Sequence, residues 1–221
     1  MILGIDTTGA DLKMGLSHEG HVSVKSWSDG PRHSRTLLPQ MLDFLNEENA
    51  VLEQLSALAF SQGPGSFTGL RVAVGVIQGL AYGLDLPVIE VPTMAVIALR
   101  AGRALQADDV LVTVHARETE VYGGFYCHCR SGTPELVEGP RVYTRATLQI
   151  SIDKPWTLAG DGAFIFDDDP HPLLSRTDIL NAGAEDLMLL AVERFEKGLT
   201  VSPLSAAPLY VRETVAAKSR S

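Results

Sequence analysis

The run Ser61-Gln62-Gly63-Pro64-Gly65-Ser66-Phe67-Thr68-Gly69-Leu70-Arg71, continuing as Val72-Ala73-Val74-Gly75-Val76-Ile77-Gln78-Gly79-Leu80-Ala81-Tyr82-Gly83-Leu84, decides how this chain is read. Leu58 to Ser61 reads as the end of a buried strand, Gly-Pro-Gly as a sharp turn, and the remainder as a helix. Ser66 or Thr68 can cap that helix, because a hydroxyl oxygen there accepts from a first-turn N–H that has no partner within the helix. Gly75, Gly79 and Gly83 recur every four residues and share one helical face that carries no side chain. Glycine costs about 1 kcal/mol against alanine inside a helix, so three on one stripe require a reason. Close backbone approach by another helix supplies it, and an interface or tightly packed helix is expected.

Other readings of the stretch fail on residue identity. A phosphate-cradling P-loop needs a lysine after its last glycine, and none follows. A nucleophile elbow needs glycines two before and two after its serine, whereas Pro64 and Thr68 flank Ser66. A membrane span needs roughly 20 apolar residues, and Arg71 and Gln78 interrupt the run.

Outside this segment, the 221 residues suffice for one large domain or two small ones, with an ordinary balance of 45% hydrophobic and 20% charged residues. A net charge of −9 disfavours unaided binding to a nucleic-acid backbone. Met1 to Asp6 lacks the charged and apolar regions of a signal peptide and reads directly as a strand. Cys127 and Cys129 flank His128; alternate strand residues share a face, so the thiols lie side by side but are poorly set for a disulfide. With no second ligand pair elsewhere, no metal site is expected from that trio, and free cysteines of a cytosolic protein are.

In chain order, Ile2–Asp6 is a strand ending in a polar turn, and Leu12–Ser17 and the alternation at Val22, Val24 and Ser26 complete a three-stranded meander. Leu37, Leu38, Met41, Leu42 and Leu45 form an apolar helical stripe wide enough to serve both a sheet and a partner helix. Pro39 is tolerable there if Ser34 or Thr36 is the cap. Leu86–Val91 is a further strand, followed by a helix capped by Thr93. Strands are expected at Val110–His115, Val121–Cys127, Leu136–Tyr143 and Trp156–Gly160, a helical turn at 146–150, and an amphipathic helix from Ala184 to Lys197 ended by Gly198. Asp167-Asp168-Asp169 lacks the EF-hand spacing and reads as a solvated turn. The expected order is an α/β fold with parallel strands joined by right-handed crossovers, and a second, smaller lobe from residue 106.

No active site emerges from the residues. The position four after His33 is Leu37, so no helical histidine pair exists there, and nothing places a Ser-His-Asp set together. Asp6 and Asp161 end strands, and a capping role is expected for each.

Ile5-Asp6-Thr7-Thr8, His33-Ser34 with Leu37-Leu38-Pro39, Gly63 to Arg71, Gln78-Gly79-Leu80-Ala81, Glu120-Val121-Tyr122 and Pro208-Leu209-Tyr210-Val211-Arg212 occur in order. Together they resemble the bacterial TsaB family, also called YeaZ, over nearly the whole chain. The resemblance implies an actin/Hsp70/sugar-kinase fold, with lobes at residues 1–105 and 106–221. It implies a part in forming N6-threonylcarbamoyladenosine at position 37 of tRNAs reading codons that begin with A. The implied role is non-catalytic: pairing with a metal-binding TsaD-like catalytic subunit, joined by a TsaE-like ATPase, with tRNA met only through the complex. No cofactor and no metal are expected in this chain, and a homodimer is expected when it is alone. Leu37, Met41, Leu45, Phe67, Arg71, Val74, Gly75, Gln78 and Gly79, on helices over 36–46 and 68–84, are the candidate contact residues. Two departures stand out: His115 where the family usually has aspartate, and Arg35 where it often has glutamate. The alternatives are a small-molecule kinase or ATPase of the same fold, and a peptidase, for which the sequence offers neither metal pair nor nucleophile.

Overall fold

A computed structural model describes residues 1–28, 33–130, 132–145, 147 and 152–211. Strands β1 (Ile2–Asp6), β2 (Leu12–His18) and β3 (His21–Trp27) form an antiparallel meander. Strands β4 (Ala57–Gly63) and β5 (Val88–Pro92) add in parallel on the β1 side, giving the order β3-β2-β1-β4-β5. β1 is buried at every residue and β4 at all but Gln62, as strands covered on both faces must be. Along the edge strand β3 no residue is fully buried.

The second sheet repeats this plan. β6 (Val110–Arg117), β7 (Glu120–Cys127) and β8 (Glu135–Tyr143) form an antiparallel meander, and β9 (Trp156–Ala159) and β10 (Leu174–Arg176) add in parallel beside β6. The order β10-β9-β6-β7-β8 is that of the first sheet with five new strands. Two lobes of one topology result.

Helices α1 (His33–Glu47) and α2 (Phe67–Gly83) cover the outer face of the first sheet, and α3 (Thr93–Leu105) and α4 (Ala184–Glu196) lie between the sheets. One buried cluster joins Ile2, Ala57 and Ile89 of the first sheet to Val110 and Val112 of the second through Ile97, Leu99, Leu187 and Leu190 of the middle helices. Gly4 and Gly15 face each other across β1 and β2, and the Met188 side chain of α4 fills the hollow they leave. A third cluster, with Phe125, Trp156 and Phe166, closes the far side of the second sheet.

Several expectations are corrected. α4, counted with the second lobe, packs on the first sheet, because the paired glycines of β1 and β2 give it a seat. Helix α1 begins at His33, so Pro39 lies within the helix and not in its first turn. Thr93 does not cap α3: its hydroxyl accepts from the Gly63 N–H at 2.9 Å, and Pro92 occupies the cap position. β10 and the short 3-10 helix Ala163–Phe166 were not expected. The expected helical turn at 146–150 and Arg212 of the C-terminal motif lie outside the described residues, Thr147 excepted. Among the described residues, no helix is long and apolar enough to cross a membrane.

Candidate partner-binding face and inter-sheet cleft

Helix α2 is docked by its first turn. Ser66 is the N-cap, its hydroxyl accepting from the Gly69 N–H at 3.2 Å. The Thr7 hydroxyl donates to the Gly69 carbonyl at 2.8 Å, and the Ser66 N–H donates to the Thr8 carbonyl at 2.8 Å. A methyl group at Gly69 would collide with the Thr7 carbonyl oxygen. Gly63 adopts φ +109°, a backbone state that side chains disfavour, and so permits the turn out of β4. Asp6, fully buried, accepts from the Thr8 N–H at 2.8 Å and from the Thr8 hydroxyl at 2.6 Å, holding the turn that receives the helix.

The rest of α2 runs to the surface. A side chain built at Gly75, Gly79 or Gly83 would meet nothing within 4 Å, so the glycine stripe faces open space. Phe67, 58% exposed, begins the same row, with the Arg71 guanidinium stacked 3.7 Å above its ring. Tyr82 is 70% exposed at the other end. A row four residues apart forms a surface ridge on a helix; glycines turn that ridge into a groove that a neighbouring helix can enter.

The remaining candidate contact residues divide by burial. Leu37, Met41, Leu45 and Val74 point into the protein's own core, each under 8% exposed, and are corrected from contact residues to core residues. An apolar helical stripe satisfies the protein's own sheet first, and these four cover its outer face. Gln78 is half-buried and tied internally, donating to the Ala206 carbonyl at 2.9 Å. Phe67, Arg71, Gly75 and Gly79 are exposed. Leu38 and Leu42, which the reading of the sequence left out of the contact set, are exposed on α1, a helix that packs beside α2. Their i, i+4 spacing, off the inward row, is the sequence signal that marks them.

At the α2 N-terminus, a cleft of about 950 Å³ opens between the two sheets, walled by Thr8, Gly65, Ser66 and Phe67 of the first lobe and His115, Arg117 and Asp161 of the second. Asp161 accepts from the His115 N–H at 2.8 Å, bracing the β6–β7 turn as a cap. The His115 imidazole meets the Phe164 ring edge-on at 5.4 Å, with Nε2 3.3 Å from the Glu118 carbonyl oxygen. Each strand-ending aspartate thus accepts a backbone N–H through one carboxylate oxygen, Asp6 accepting the Thr8 hydroxyl as well. The acidic turn at 167–169 is exposed, with Asp167 paired to Arg176 at 2.6 Å and Asp168 to Arg145.

Two sheets of one repeated topology around a shared helical layer, with a cleft between them, define a two-lobed protein of the actin/sugar-kinase class. Comparison with known proteins narrows this. The chain is 33% identical to the tRNA threonylcarbamoyladenosine biosynthesis protein TsaB of Escherichia coli (strain K12), over 98% of this chain and 96% of that one. It belongs to the TsaB family of tRNA threonylcarbamoyladenosine biosynthesis proteins. A crystal structure described as an uncharacterized protein with similarity to peptidase YeaZ from Pseudomonas aeruginosa is 33% identical. It superposes with a TM-score of 0.88 over 96% of this chain and 99% of that one. The structure of YeaZ from Pseudomonas aeruginosa, also 33% identical, gives 0.86 over 95% and 98%. Residues 30–138 also match the family model of TsaD, tRNA N6-adenosine threonylcarbamoyltransferase.

Proposed function

We propose that this protein is the non-catalytic partner of a TsaD-like threonylcarbamoyltransferase, bound through the outer face of α1 and α2. The glycine groove of α2 carries the reading. Gly75 and Gly79 sit in open space, with Phe67, Arg71 and Tyr82 on the same helix and Leu38 and Leu42 on the next. Glycines that cost helix stability and receive nothing in return within the protomer are accounted for by a second helix that fits against them. The net charge of −9 supports a division of labour in which the catalytic subunit holds the tRNA. In the cell the protein works in the cytoplasm, a TsaE-like ATPase joins the pair, and the same exposed face brings two copies together when the partner is absent.

Light-scattering chromatography of the protein alone and mixed with its host's TsaD-like subunit tests this. The expected result is a homodimer that exchanges into a one-to-one heterodimer. A monomer indifferent to the partner overturns the proposal. A second reading, nucleotide phosphotransfer by a small-molecule kinase or ATPase, draws on the inter-sheet cleft of about 950 Å³. Magnesium-dependent ATP binding by the lone chain, measured by calorimetry, is the result that favours it.

A further inference from the structure

At the end of β7 the chain brings three different ligand atoms together. Cys127 stands directly opposite Glu135 in the β7–β8 register, so their side chains are cross-strand neighbours. His128 follows Cys127, and in a regular strand it would point to the other face. Instead it takes the left-handed conformation, φ 58°, which turns its ring back beside the other two. The Cys127 thiol, a His128 ring nitrogen and a Glu135 carboxylate oxygen all lie within 4.8 Å of one another. Cys129, the second thiol of the sequence trio, is fully buried in the core; the third ligand comes instead from the neighbouring strand.

The surroundings suit a cation. His128 Nε2 lies 3.9 Å from Glu135, and Nδ1 lies 4.0 Å from the Asp108 carboxylate on the other side of the ring. A carboxylate behind the far nitrogen of a metal-bound imidazole is the usual device for fixing its tautomer and orientation. The Cys129 N–H donates to the Asp108 carbonyl at 3.0 Å, so the segment carrying His128 is fastened to the loop carrying Asp108. Burial, then the charges of Glu135, Asp109 and Asp108, push the Cys127 thiol above its ordinary range; Lys154, paired with Asp109 at 2.7 Å, offsets one of these. Sulfur, imidazole and carboxylate together are a zinc set, not a magnesium or calcium one. Tetrahedral zinc holds such ligands about 3.5 Å apart, so the present spacing closes by about 1 Å, within reach of the exposed His128 and Glu135 side chains.

We propose that Cys127, His128 and Glu135 bind one zinc ion, with Asp108 as the positioning residue for His128. On binding, the Cys127 S–H bond breaks, its proton passes to solvent, and a thiolate–zinc bond forms; His128, the Glu135 carboxylate and water complete the coordination. The ion would clamp the two strands of the β7–β8 hairpin together at the end where they part, with Asp108 of the loop before β6 behind the His128 ring.

The test uses the full-length, untagged protein, freed of metal with a chelator and titrated with zinc against a chromophoric competitor. One zinc per chain is expected, with magnesium failing to compete. Cys127→Ser and Glu135→Gln should each weaken binding about 100-fold, and Asp108→Asn about 10-fold. Cobalt should give a thiolate charge-transfer absorption that Cys127→Ser abolishes. In the unaltered protein, zinc should protect Cys127 from alkylation, a readout that needs no variant. Failure of the unaltered protein to bind zinc, zinc binding unchanged by Cys127→Ser, or alkylation of Cys127 unchanged by zinc overturns the proposal.

Discussion

The Thr7 hydroxyl and the Gly69 carbonyl, 62 positions apart in sequence, meet at 2.8 Å and join the end of β1 to the first turn of α2. No Cβ fits at Gly69, because the Thr7 carbonyl occupies that space and, being backbone, cannot swing away. Gly69→Ala should therefore destabilise the fold by about 2 kcal/mol, the cost of overpacking a fixed contact. Thr7→Val, which exchanges the hydroxyl for a methyl group that cannot donate, should cost about 1 kcal/mol. Urea unfolding of both variants checks the order; equal stability of Gly69→Ala and the parent protein would contradict it.

Gly79 invites the opposite experiment. With nothing within 4 Å of an added Cβ, Gly79→Ala should stabilise the isolated chain by up to about 1 kcal/mol through helix propensity alone. The same methyl should weaken pairing with the TsaD-like subunit, and Gly79→Leu should abolish it. Thermal unfolding and calorimetric titration, run on the same samples, read the two effects. A stabilised variant that still pairs at full affinity would remove α2 from the interface.

The buried thiol of Cys129 should leave a mark on alkaline stability. Burial, reinforced by the nearby Asp108 charge, pushes it up to about 12. Its folded value lies above that of an unfolded thiol, so its stabilising effect is complete below about pH 8.5 and fades as pH rises toward the folded value. Cys129→Ala should lose less stability than the parent between about pH 8 and about pH 11, compared by urea midpoints. Parallel pH profiles would show the thiol to be uninvolved.

Glu90 anchors the C-terminal run. Its carboxylate accepts from the Ala207 N–H at 2.8 Å, and two residues on the Leu209 N–H donates to the Gln62 carbonyl at 2.8 Å. Glu90→Ala should cost about 1 kcal/mol and speed hydrogen exchange at Ala207 and Leu209 together. Unchanged protection at Leu209 would mean that the two bonds open independently.

Much of this architecture is legible in the sequence where the controlling forces are local. The Ser66 cap, the strand before it and the glycine row follow from backbone rules that operate within a few residues. Direction of burial is another matter. Leu37 and Met41 carry the same apolar signal as Leu38 and Leu42, yet the first pair faces the sheet and the second faces out. Periodicity marks an apolar face without saying what covers it. The seat of α4 depends on Gly4 meeting Gly15 and both meeting Met188, a coincidence of three distant positions. Glu135 beside Cys127 is likewise set by strand register, and His128 by a single left-handed residue.

The helical layer shared by the two sheets has a mechanical consequence. Side chains of α3 and α4 belong at once to the cores under both lobes, from Ile2 and Ile89 to Val110 and Val112. A hinge between the lobes would have to tear that common core, exposing apolar surface on both sides at about 25 cal/mol per Å². The lobes are therefore welded. A load applied at the outer face of α2 passes through Thr7 and the first sheet into the second as through a single strut.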